Sequence, residues 1–106
     1  MRILFDQGTP VPLRHALTGH MVETAFELGW ASLQNGALIA AAEDARFQVF
    51  VTTDKNLKYQ QNLAARSISI VVPSTTSWPR IQLVLPHVVA AIESTVPASY
   101  SEVIVR

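Results

Sequence analysis

Two segments, Ile3-Leu4-Phe5-Asp6 and Val49-Phe50-Val51-Thr52-Thr53-Asp54, each run a short apolar stretch straight into an aspartate. In a parallel sheet such stretches become buried strands, and the acids that follow them meet at the carboxyl edge, where α/β proteins bind ligands. Two carboxylates there, with the hydroxyls of Thr52 and Thr53 beside one of them, suit a divalent cation and a phosphate group. Glu27, just past a candidate second strand, supplies a third acid for the same edge. Thr52, Lys55 and Asn35 are the candidates for orienting a phosphate or presenting an amide to it. Each residue also has an ordinary role to set against this. Aspartates after strands form turns or cap helices, threonine suits a strand end, and asparagine caps a helix start.

Other chemistry is poorly supplied. Glu43 and Asp44 fall late on a predicted helix and read as a solvated face, and Glu23 falls inside a predicted strand. His15, His20 and His87 lack the spacing of a metal site. No phosphate-binding glycine loop or nucleophile elbow is present. The Asp6-Gln7-Gly8-Thr9 opening lacks the second aspartate of the haloacid-dehalogenase motif. A response-regulator receiver would carry a paired acid where Gln7 stands and a late lysine, and residues 67–106 contain none.

The elements that must position these residues alternate along the chain. Arg2–Phe5 reads as a strand. Thr9-Pro10 starts a short helix, through a capping hydroxyl and an early proline, that runs to about Leu17 with Leu13, Ala16 and Leu17 inward and closes at Gly19. Met21–Ala25 is the second strand and Asn35 to about Arg46 a helix of strong formers. Phe47–Thr52 is the third strand. Leu57–Ala65 is a helix with Lys58 and Gln60-Gln61-Asn62 outward, and Ile68–Val72 a strand stopped by Pro73. A helix follows from Pro79 to Glu93, which Pro86 should kink or split, and Ser101–Arg106 could add an edge strand. This order predicts a single domain over residues 1–106, a three-layer α/β/α sandwich around a mainly parallel sheet of four to five strands.

Composition bounds the partners. Hydrophobic residues make up 49% and charged residues 15%, which argues against disorder and predicts a homodimer or a protein partner to cover apolar surface. Net charge is zero, so a nucleic acid would be held locally or through a metal rather than by a basic face. The absence of cysteine excludes disulfides and suits a reducing cytoplasm. The N-terminus lacks a signal-peptide core, and the apolar stretch from Leu83 to Ile92 is too short to span a membrane.

Four pieces taken in order resemble the small PIN-like proteins, a compact branch of the PilT N-terminal domain superfamily. They are Ile3-Leu4-Phe5-Asp6-Gln7-Gly8-Thr9-Pro10, Gly19-His20-Met21-Val22 through Glu27-Leu28-Gly29, Asn35 to Arg46, and Val51-Thr52-Thr53-Asp54-Lys55-Asn56-Leu57. The likeness covers roughly residues 2–73. It implies a metal-dependent ribonuclease, typically the toxin of a toxin–antitoxin pair. Asp6 and Asp54 would then hold Mg²⁺ or Mn²⁺ with help from Glu27, Thr52 and Lys55 would match family positions, and an antitoxin protein would be the partner. Gln7, Asn35 and Asn56 are amides where the family usually has acids, so the cation should bind more weakly. The competing expectation is a protein that keeps the fold and acts through an interface; a nucleotide or small-molecule binder is a third.

Overall fold

The runs of β-branched and aromatic residues form five strands: β1 (Arg2–Phe5), β2 (Met21–Thr24), β3 (Val49–Val51), β4 (Ser69–Pro73) and β5 (Tyr100–Val103). The computed structural model describes residues 1–60 and 62–106, and the side chains of all of these except 59, 60 and 64. The strands make one sheet in the order β2-β1-β3-β4-β5, and every ladder is parallel. The predicted fourth strand is observed with its proline as the last residue, and the edge strand at the end of the chain pairs with β4.

Side-chain alternation divides the core into two layers. Ile3, Phe5, Val49, Val51, Val71 and Val103 point to one face, where they pack with Leu13, Leu17, Ile81, Val88 and Ile92. Leu4, Phe50, Ile70 and Val72 point to the other and meet Leu38, Ile39, Ala42 and Leu57. A parallel sheet buried on both faces needs this continuous apolar character along each strand. The expected three-layer α/β/α sandwich is the observed fold.

The covering elements are α1 (Asn35–Asp44), α2 (Leu57–Gln60), α3 (Trp78–Leu83) and α4 (Leu85–Glu93), with 3₁₀ turns at Val11–Ala16 and Leu63–Ala65. The helix expected after β1 is thus a 3₁₀ turn. Pro10 and Pro12 supply no backbone N–H, and the bonds that form span three residues, Leu13 N to Pro10 O and Leu17 N to Arg14 O, both 3.1 Å. Gly19 closes this segment as expected, at φ +82°. The α1 helix ends with Phe47 N bonded to Ala42 O and Arg46 N to Glu43 O, a Schellman closure that holds Arg46 at φ +66° and buries Phe47 beside Ala42. The long C-terminal helix is split as Pro86 predicts, with Val84 non-helical between α3 and α4. The third predicted helix is α2 followed by the second 3₁₀ turn. Lys58 and Asn62 face outward as expected, while Gln61 and the side chain of Gln60 lie outside the described residues.

One connection departs from the rest. The chain reaches β3 and β4 through α1 and α2 on one face, but β5, in the same direction, through α3 and α4 on the opposite face. The β4–β5 crossover therefore has the opposite hand to its predecessors.

Glu43 is more than a solvated residue on α1. Its carboxylate accepts Ser67 N (2.6 Å), Ser67 Oγ (2.8 Å) and Arg66 Nη1 (3.1 Å), tying α1 to the start of β4. Burial alone would raise its pKa, but the hydrogen bonds from Ser67 and Arg66 outweigh that and hold it below the ordinary value. A depressed carboxylate stabilises the fold above its unfolded pKa, and that contribution disappears as pH falls through the folded value. Glu43→Gln should therefore lower stability at neutral pH by about 1–3 kcal/mol and flatten its fall as pH drops below the ordinary glutamate range, measured by urea denaturation.

Candidate carboxylate site at the sheet edge

Strand register brings Asp6 to β3. Phe5 pairs with Val51 on one side and Thr24 on the other, and Asp6 N continues the ladder to Val51 O at 3.1 Å. From β1 the chain turns to β2 on one side and later enters β3 on the other, so this is the topological switch point of the sheet. Gly8 passes so close to the loop after β3 that a Cβ there would lie 2.5 Å from Thr53 Oγ1. The loops that carry the two aspartates are therefore packed together.

Asp6 is fixed by four donors. Its Oδ1 accepts Gly8 N (3.1 Å), Thr9 N (3.0 Å) and Thr9 Oγ1 (2.8 Å), while Oδ2 accepts the Thr52 hydroxyl. Asp54 receives Asn56 N on Oδ1 (2.9 Å) and Asn35 Nδ2 on Oδ2 (2.7 Å). Thr52 joins the two acids, since its Oγ1 also accepts Asp54 N at 3.2 Å. This hydroxyl is fully buried, so it acts on the aspartates rather than on a ligand. Asn35 is the first residue of α1 rather than its cap, and its amide serves Asp54 instead. Thr9, expected as a cap, likewise donates to Asp6 and also to Val51 O at 2.9 Å.

Glu27 takes a different position. Its carboxylate is gripped by both terminal nitrogens of Arg14, at 2.5 and 3.1 Å, and accepts Thr24 N at 2.9 Å. Glu27 N in turn donates to Thr24 Oγ1 at 3.1 Å, a reciprocal box that shapes the turn after β2. Arg14 and the Thr24 amide together lower the Glu27 pKa to about 2. Among the described residues no three histidine or acidic side chains form a group able to hold a metal. The structure thus brings together Asp6, Asp54, Thr52 and Asn35, and gives Glu27 to Arg14.

The two aspartates nevertheless fit the demands of a hard cation. They offer oxygen ligands and two negative charges, and among the described residues neither is in a salt bridge. A carboxylate has about four lone-pair sites, so Asp54 retains two beyond its bonds to Asn35 and Asn56, and Oδ2 of Asp6 retains one. Lys55 and Asn56 are exposed on the following loop. Gln7 donates its amide to Ala31 O at 3.2 Å. His20 lies before β2, at the opposite end of the strands, bonded to Glu93 at 2.8 Å and to the N-terminal amine at 3.0 Å.

A cavity of about 510 Å³ opens beside Asp6, bounded by Gln7, Val11, Arg14, Phe26 and Glu27. Its volume lies in the range of small-ligand sites. Sequence reasoning overlooked Arg14 and Phe26. The available signal for Phe26 was a large aromatic residue immediately after a strand end and before a charged turn residue.

No helix of the described residues is long and apolar enough to cross a membrane. In comparison with known proteins, no family model, no curated protein and no solved structure matches this chain.

Proposed function

We propose that this chain is a PIN-like ribonuclease of toxin type, hydrolysing RNA phosphodiesters at the carboxyl edge with Asp6 and Asp54 as ligands of one Mg²⁺ or Mn²⁺. The observation that carries this reading is the buried Thr52 hydroxyl, which donates to the Asp6 carboxylate and accepts the backbone N–H of Asp54, anchoring both residues at the switch of the sheet. When bound, such a cation supplies Lewis acidity towards the phosphate and lowers the pKa of a coordinated water. Asn35 orients the Asp54 carboxylate, Thr52 orients that of Asp6 and holds the Asp54 backbone, and the exposed Lys55 attracts the phosphate from the adjacent loop. Glu27, already committed to Arg14, holds that guanidinium in place rather than binding the cation.

A second reading has its own observation. Asp6 already accepts four hydrogen bonds, three of them from its own turn, as an aspartate kept for architecture would. In that case the chain acts through a protein interface, with an antitoxin-like partner or a second copy. Calorimetric titration with Mn²⁺, paired with incubation on single-stranded RNA, separates the two. Saturable binding and Mn²⁺-dependent cleavage support the nuclease, whereas neither binding nor cleavage overturns it.

A further inference from the structure

We infer that the cavity beside Asp6 receives one unpaired nucleobase of the RNA, stacked on Phe26 and flanked by Val11. This rests on the proposed nuclease reading and assigns the substrate contact of that same site. Phe26 is 76% exposed and Val11 50% exposed, yet both border one cavity. Their backbones are held firmly. Phe26 lies in the turn where Leu28 N bonds to Thr24 O and Gly29 N to Phe26 O, while Val11 sits between two prolines.

Charge decides what enters. Arg14 is matched by Glu27, so the cavity away from Asp6 offers no net charge to a phosphate. A neutral, planar group fits that space, leaving its attached phosphate to the aspartate edge. Such a base must be splayed out of any duplex, which confines the substrate to single strands, and aromatic stacking tolerates every base.

The test is fluorescence anisotropy with a labelled single-stranded hexaribonucleotide, using Ca²⁺ in place of Mn²⁺ to limit hydrolysis. Stacking on an aromatic contributes about 1–3 kcal/mol per base, so Phe26→Ala should weaken the Kd roughly 5- to 150-fold. Phe26→Trp should stay within about threefold of the parent, and an abasic hexamer should bind Phe26→Ala and the parent alike. Because Phe26 is exposed, its replacement should leave thermal unfolding unchanged. If the parent binds RNA and Phe26→Ala binds equally well, the stacking inference falls while the nuclease reading stands. Equal weakening on the abasic hexamer also overturns the base contact. A parent that neither binds nor cleaves RNA overturns both.

Discussion

Thr52→Val should lower the unfolding free energy by about 2–5 kcal/mol, a large fraction of what a domain of this size possesses. The substitution keeps the branched shape, so packing changes little and the effect comes from the missing hydroxyl. Oδ2 of Asp6 loses the Thr52 donor, and Asp54 N loses its acceptor, in a place where Thr52 itself is fully buried. A neutral hydrogen bond contributes about 0.5–1.5 kcal/mol and one to a charged group about 1.5–3 kcal/mol. For a domain near this length the melting temperature should fall by roughly 10–25 °C, measurable by calorimetry. Thr52→Ser, which restores the oxygen but loses a methyl group, should recover most of the loss. An unchanged melting temperature in Thr52→Val would show that this hydroxyl does not hold the edge together.

The second large effect separates architecture from chemistry. Under the proposed function, Asp6→Asn and Asp54→Asn each remove one of two negative charges around the cation. Mn²⁺ affinity and RNA cleavage should both fall by more than about a hundredfold. Their stabilities should differ. Asp6 receives four donors and Asp54 two, so Asp6→Asn should cost about 2–4 kcal/mol and Asp54→Asn about 1 kcal/mol. Asp54→Asn is therefore the cleaner variant, with a melting temperature within several degrees of the parent. If it retains cleavage and Mn²⁺ binding, the ion is held elsewhere and the nuclease reading fails. Loss of activity in Asp6→Asn alone would be ambiguous, because that variant also weakens the fold.

The sheet was legible because each strand is a short, nearly continuous apolar run ending at a turn residue, and the alternation with helical segments dictates parallel pairing. The break at Pro86 was legible for a covalent reason, the missing N–H. The juxtaposition of the aspartate-bearing loops was legible too, since adjacent parallel strands fix where their carboxyl ends lie. What the residues do there was less so. Thr9 looked like a cap, but two prolines tighten the next turn and Asp6 stands within reach of its hydroxyl. Asn35 looked like a cap as well, yet α1 starts one residue earlier in effect, leaving its amide to Asp54. Glu27 depends on Arg14, thirteen positions earlier, and no local pattern signals an ion pair made by a 3₁₀ turn folding across the end of β2. Glu43 shows the same limit, because its partners belong to the approach to β4.

The wholly parallel sheet has a kinetic consequence. Arg2 finds Met21, Ile3 finds Val49, Val49 finds Ser69 and Ile70 finds Tyr100, so no ladder can nucleate as a hairpin between chain neighbours. Every pairing must first close a long loop, with its entropy lost before the contacts compensate. The central pair β1–β3 closes the longest of these, and the two aspartate-bearing loops pack together only when it forms. A chain emerging during synthesis would thus hold the pieces of its site apart until about half of the domain exists.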